Sequence, residues 1–337
     1  MGRHRMAESS REPALTLRGV SKTYRSGLFG RGTQHHAVRD LDLEVPAGSV
    51  HALLGPNGAG KTTSVAMVAT LLEPDAGQIQ VGGIDARKEP ARVRDIIGVS
   101  GQYAAVDGNL TGFENLRMVA QLYGHSRREA SSRARQMIDE LDLTTAADRP
   151  MRTYSGGMRR RLDLAGAVIN RPTLVILDEP TTGLDPRGRR QIWEVIDQLV
   201  QAGTTVLLTT QYLEEADELA DEITLIDGGV VQARGTPQSL KSRFGQSGLR
   251  IEVAPTSPDA EISAALMQVG AGEPRQLDDR NWEVPIDAGT RSAVAAVQVL
   301  QDRGVECIDA VVTAPTLDAV FLALTGSDTQ REVVDVL

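Results

Sequence analysis

Cysteine, uninterrupted apolar sequence and positive charge are all scarce in this 337-residue chain, and each scarcity excludes something. The single cysteine, Cys307, cannot form an internal disulfide, which fits a reducing cytosol. It lies in an apolar stretch, where a packing role is expected. No apolar run approaches the roughly 18–20 residues that a membrane-spanning helix needs. Segments such as Val65–Leu72 are short and broken by small or polar residues. The chain is therefore not expected to form a membrane channel by itself. Lys and Arg number 36 against 45 Asp and Glu, a net charge of -9. That balance argues against nucleic acid as a general partner, because such binding usually needs a basic face. The start, Met1–Arg11, has three arginines but no apolar core, so it reads as a solvated tail rather than a secretory signal.

What is present is a regular alternation of strand and helix patterns. Strands are predicted at Leu15–Val20, Val38–Val45, Val50–Leu54, Ile79–Val81, Ile96–Ser100, Leu174–Leu177 and Val206–Thr209. A Gly-rich loop, Ser26–Gly32, is expected between the first two, with His35 and His36 in a loop rather than at a metal. Helices are predicted at Phe113–Tyr123, Arg127–Leu141, from near Ser155, at Arg187–Val200 behind Pro186, and at Leu213–Ala220. Ile223–Ile226 and Val230–Gln232 read as a hairpin turning at Asp227-Gly228-Gly229. Such alternation indicates an α/β domain with a largely parallel sheet. Composition shifts near Phe244–Gly248, and a small α+β domain is expected beyond it. Its strands are read at Leu249–Val253, Trp282–Pro285 and Val305–Val312, and its helices at Ala260–Val269 and Arg291–Arg303.

Gly55-Pro56-Asn57-Gly58-Ala59-Gly60-Lys61-Thr62 matches the P-loop pattern, with a buried strand before it and a helix after it. Glycines let the backbone wrap close to a polyphosphate with its N–H groups inward, and the helix N-terminus adds partial positive charge. Lys61 is expected on the β- and γ-phosphates, Thr62 on Mg²⁺, and Thr63 on phosphate. The apolar strand Leu174–Leu177 ends in Asp178-Glu179. Two acids at a buried strand tip need a partner. Mg²⁺ is the expected partner of Asp178, and Glu179, one residue further out, is placed to polarise an attacking water.

Tyr154-Ser155-Gly156-Gly157-Met158-Arg159 narrows the reading. It resembles the signature of ABC-type ATPases, in which Ser-Gly-Gly opens a helix. Ser155 and the amides of Gly156 and Gly157 form a second anion site at a helix N-terminus. The resemblance implies a P-loop NTPase of the ABC nucleotide-binding type that binds ATP with Mg²⁺. It also implies a head-to-tail homodimer, in which each signature closes over the other copy's nucleotide. Other positions resemble the same family. Tyr24 looks like the aromatic that stacks on adenine, a contact typically worth ~1–3 kcal/mol. Gln102 looks like the glutamine that touches Mg²⁺ and senses a membrane subunit. Asp185, in Gly183-Leu184-Asp185-Pro186, would work across the dimer interface.

One position departs from the superfamily. The family's usual histidine after the strand Val206–Thr209 is here Gln211. Its amide can donate to a phosphate but cannot become cationic. Glutamine at this position is itself usual in the daunorubicin/doxorubicin-resistance subunits, which this chain resembles over roughly residues 14 to 326. The resemblance rests on Tyr154–Arg161, on Thr209-Thr210-Gln211-Tyr212-Leu213-Glu214-Glu215-Ala216-Asp217 and on Leu317–Gly326. In the last, Ala319 stands where that family commonly has an acid. Arg159-Arg160-Arg161 reads as a solvated helix face with one inward stem.

The expected organisation is a flexible tail at 1–13, the nucleotide-binding domain at 14–244 with a helical subdomain at about 112–170, an accessory domain at 249–326, and a flexible tail at 327–337. The resemblance implies an ATPase that drives efflux of a drug or hydrophobic natural product. It would act on the cytoplasmic face of the cell membrane through a separate permease subunit, docked near Gln102–Val106. A soluble ABC ATPase without a permease is disfavoured by the single cassette, the acidic balance and the lack of a heptad run. An importer is disfavoured only by the subfamily resemblance.

Overall fold

The computed structural model describes residues 12–25, 33–101, 107–245, 247–255, 257–287 and 289–325. Two compact units divide between Thr236 and Pro237. In the first, the elements in chain order are β1 (Leu15–Arg25), β2 (Gln34–Val45), β3 (Val50–Leu54), α1 (Lys61–Val68), β4 (Ala76–Val81), β5 (Ile84–Asp85), α2 (Pro90–Ile96) and β6 (Ile97–Ser100). They continue with α3 (Gly112–Leu122), α4 (Arg127–Glu140), α5 (Gly156–Val168), β7 (Leu174–Asp178), α6 (Pro186–Gln201), β8 (Thr205–Thr210), α7 (Leu213–Leu219), β9 (Glu222–Asp227) and β10 (Val230–Gly235).

The expected parallel sheet is there, in the order β10-β9-β3-β8-β7-β6, with β10 antiparallel at one edge. Its central strands are buried along their whole length, so they read as apolar runs, Leu-Val-Ile-Leu in β7 and, broken only by His51, Val-His-Ala-Leu-Leu in β3. A second, antiparallel sheet, β2-β1-β4-β5, is separate from it. Leu15, Leu17, Val38, Leu41, Leu43, Ile79 and Val81 from this sheet join Val65 and Val68 of α1 and Leu174, Ile176 and Leu207 of the parallel sheet in one core. This second sheet goes beyond the expected largely parallel one, because strand periodicity carries no information on pairing partners.

Both β1 and β2 run further than read, so His35 and His36 lie in a strand and not in a loop. His36 Nδ1 is 2.9 Å from Thr23 Oγ1 on the paired strand. The helices α3 and α4 each begin with a full capping box, Thr111 with Glu114 and Ser126 with Glu129. These caps fix the start of the helical segment that ends in α5.

The second unit holds α8 (Pro237–Phe244), β11 (Ser247–Val253), α9 (Asp259–Val269), β12 (Arg275–Gln276), β13 (Asn281–Ile286), α10 (Thr290–Asp302), β14 (Cys307–Thr313) and α11 (Leu317–Thr325). Its antiparallel sheet, β12-β13-β11-β14, packs on α9 and α10 through Leu249, Ile251, Leu266, Trp282, Val284 and Leu300. The helix α8 was absent from the sequence reading. It falls in this unit and packs with α11. The half-buried thiol of Cys307 lines the same core, and burial pushes its pKa up.

Candidate functional site

Parallel pairing brings the chemistry to one end of the large sheet. In β3, Leu54 is opposite Thr210 of β8, and Asp178 of β7 is opposite Thr209. The loop after β3, the two acids and Gln211 therefore leave the sheet side by side. Gly55 N–H, the first amide of the loop, donates to Thr210 O at 3.3 Å.

The loop's close fit explains its glycines. A Cβ on Gly55 would stand 2.1 Å from Ile226 O, and one on Gly60 would stand 2.2 Å from Ala37 O. Gly60 also has φ 103, the left-handed region that side chains rarely adopt, and it forms the N-cap of α1 with no side-chain cap. The first-turn amides of α1 thus have no side-chain acceptor of their own. Asn57, Gly58 and Thr62 are exposed, Pro56 and Thr63 half-buried, and Ala59 buried.

Lys61 is buried. Its Nζ donates to Gly55 O at 2.8 Å and to Pro56 O at 3.0 Å, and stands 3.5 Å from Glu179 Oε1. Burial pulls its pKa below the ordinary lysine value, while Glu179 and then Asp178 oppose that shift. A buried ammonium beside one carboxylate and two backbone carbonyls gains further from an anion that supplies more negative charge.

Asp178 is buried at the last position of β7 and accepts a short hydrogen bond from the Thr209 hydroxyl. The next residue, Glu179, has φ 49, an uncommon conformation for a side chain of its size. Its amide is held by Thr209 O and Thr209 Oγ1, both at 3.1 Å. Thr182 Oγ1 donates to Glu179 Oε2 at 3.3 Å. Strained backbone held from several sides is a mark of functional sites. The Thr62 hydroxyl and the Asp178 carboxylate are hard oxygen donors, the ligand chemistry that Mg²⁺ takes, usually with few protein ligands and the rest from phosphate and water.

Ser155, Gly156, Gly157 and Asp185 are not gathered at Lys61. Ser155 is the N-cap of α5, its Oγ accepting from Met158 N–H at 3.2 Å, and it is exposed. Asp185 is the N-cap of α6, accepting from Gly188 N–H at 2.7 Å. These two caps neighbour each other, since a Cβ on Gly156 would meet Leu184 Cδ2 at 3.5 Å. Tyr24 is 44% exposed near the end of β1, paired with His35. Ala37, two residues further along β2, abuts Gly60. Gln102 and the segment 102–106 lie outside the described residues.

The arginine triplet departs from expectation. Only Arg159 is exposed, and both Arg160 and Arg161 point inward. Arg161 donates to Leu141 O at 3.2 Å. Arg160 gathers three carbonyls: Pro180 O at 2.7 Å, Gly101 O at 2.5 Å and Asp178 O at 3.1 Å. It also stands 3.5 Å from Asp163, which accepts from Ser100 Oγ at 2.5 Å. One guanidinium thus ties α5 to the ends of β6 and β7. Sequence pattern could not single out Arg160, because helical spacing does not tell which of three adjacent arginines faces a strand end.

Comparison with known proteins agrees with this geometry. The sequence profile described as "ABC transporter" matches residues 38–182. The chain is 48% identical, over 93% of its length and 92% of the relative's, to the daunorubicin/doxorubicin resistance ATP-binding protein DrrA of Streptomyces peucetius. It is 33% identical, over 86% of its length and 93% of the relative's, to the linearmycin resistance ATP-binding protein LnrL of Bacillus subtilis. Among solved structures, a dimeric ATP-binding cassette in a post-hydrolysis state bound to ADP and Pi superposes with TM-score 0.60 at 25% identity. That match covers 66% of this chain and 98% of the solved one.

Proposed function

This chain belongs to the ATP-binding subunits of ABC transporters, and on that premise we propose that it powers efflux of a drug or hydrophobic natural product through a separate membrane permease. It is an ATPase of the ABC family, similar in sequence to resistance ATPases. The observation that carries the export reading is the 48% identity spanning 93% of the chain to a subunit named for daunorubicin/doxorubicin resistance. No helix among the described residues is long and apolar enough to cross a membrane, which supports a partner that supplies the path. The subunit then sits peripherally on the cytoplasmic face of that partner.

In this reading the amides of 57–58 and 60–63 and the Lys61 ammonium hold the β- and γ-phosphates, and Tyr24 stacks on the adenine. Thr62, Asp178 and Gln102 hold Mg²⁺, which neutralises phosphate charge when bound. Glu179 orients and deprotonates the water that attacks the γ-phosphorus in line. Gln211 donates its amide N–H to a γ-phosphate oxygen. Ser155, Gly156, Gly157 and Asp185 of a second copy complete the site from outside, in keeping with the exposed Ser155 cap. Catalysis is then mainly positioning and charge stabilisation.

The test is steady-state MgATP hydrolysis by this chain and by Glu179→Gln, each with and without membranes carrying the candidate permease. Glu179-dependent turnover that rises with permease and drug supports the reading. ATP-dependent drug accumulation in inverted vesicles supports export. Accumulation only in right-side-out vesicles would overturn the direction, and turnover indifferent to any permease would overturn the transporter role.

A further inference from the structure

Glu215 has no role in the chemistry above, yet it is a carboxylate with 0% exposure. It sits in α7, four residues after Gln211. An acid buried so completely is costly unless its surroundings answer it. Burial pushes its pKa up, while Thr210, Thr181, Trp193 and Arg160 pull the other way. Its environment is therefore drawn from four separate segments.

Trp193 of α6 donates its indole N–H to Glu215 Oε1 at 3.2 Å. Thr210 ends β8, and its Oγ1 accepts from Tyr212 N–H at 2.9 Å, so the two residues flanking Gln211 are bonded to each other. Thr181 lies between Glu179 and Asp185, and its buried hydroxyl acts on Glu215 together with that of Thr210. Arg160 is the residue that clamps the carbonyls of Asp178, Pro180 and Gly101.

Stability is a weak explanation for an acid at this place. An apolar side chain of similar volume is often neutral or stabilising where a buried ionic group stood. What the carboxylate supplies and an apolar group does not is direction. We propose that Glu215 is a positioning residue for ATP hydrolysis, setting the Gln211 turn and the Thr181–Asp185 loop against the strand end that carries Asp178 and Glu179. It touches neither nucleotide nor water. The proposal rests on the ATPase activity of this family and is independent of what the transporter carries.

The experiment compares Glu215→Gln and Glu215→Leu with the unaltered chain in kcat at saturating MgATP, in Kd for a fluorescent ATP analogue, and in Tm. Both variants are expected to lose about tenfold or more in kcat, while Kd stays within about twofold, the signature of lost transition-state positioning. In a Gln211→Ala background, Glu215→Gln is expected to cost little more, because residues acting through one another are not additive. An unchanged kcat, or the same fractional loss in both backgrounds, overturns the proposal. If the Glu215 variants fail to fold, Trp193→Phe removes only the indole donor, and a kcat equal to that of the unaltered chain then overturns it. Glu179-dependent turnover of the unaltered chain, measured alongside, reports on the ATPase reading separately.

Discussion

The ammonium of Lys61 and the carboxylate of Glu179 face each other at 3.5 Å, although 118 residues separate them in the chain. The pair couples the phosphate loop to the residue assigned to the water. Glu179→Gln should reduce hydrolysis by roughly a hundredfold or more while nucleotide still binds, the scale of a lost general base. It should also shift the alkaline limb of nucleotide affinity to lower pH. Glu179 is the main group opposing the burial that depresses the Lys61 pKa, so removing its charge lets Lys61 deprotonate earlier. Binding of a fluorescent ATP analogue across the alkaline range checks this, and an unmoved limb would show that Glu179 does not act on Lys61.

Gln211 follows β8 directly, beside the loop opened by Gly55. Gln211→Ala is expected to lower kcat by about tenfold or more through loss of one donor to transition-state charge. Gln211→His should keep turnover but add a titration near the ordinary histidine pKa, around 6.5. Turnover in Gln211→Ala equal to that of the unaltered chain would remove Gln211 from the mechanism.

Arg160→Leu leaves three carbonyl oxygens without this donor and removes the cation beside Asp163. Removing one partner from a buried pair costs about 3–5 kcal/mol, so a large fall in Tm is expected. Arg160→Lys should recover only part of it, because an ammonium lacks the planar fork that reaches three acceptors. Equal melting temperatures for Arg160→Lys and the unaltered chain would contradict the clamp.

His51 lies fully buried in β3, with Nε2 bonded to Thr224 Oγ1 at 2.9 Å. Burial, and to a lesser extent Arg234, lower its pKa from 6.5 to about 4, against the opposing effect of Glu222. The neutral ring is the native form. Between those two values the unfolded chain binds the extra proton, so stability is level above pH 6.5 and falls as pH drops toward 4. The loss from this residue approaches about 3 kcal/mol. Unfolding curves at a series of pH values should show this slope, and His51→Asn should flatten it.

The pieces of the site that act through consecutive residues were legible in sequence. The loop 55–62, the acids after Leu177 and the Ser155 cap each carry their chemistry within a few positions, and the strand or helix that presents them is strongly patterned. The helix α2 was missed because its seven residues include only two large apolar positions with clear periodic meaning, Val93 and Ile96. The strand β5 has two residues, too few for any alternation to show. Arg160 and Glu215 were invisible for another reason. Their work depends on which strand end lies beneath a helix, and that is a property of contacts 18 to 59 residues apart in the chain, not of local spacing.

The Arg160 clamp also has a mechanical consequence. A planar cation bonded to three carbonyls leaves no slack between α5 and the strand ends beneath it. The signature helix then behaves as a lever pinned at its first turns. The exposed cap at Ser155 and the backbone at Asp178 and Pro180 are thus joined by a single rigid link through Arg160.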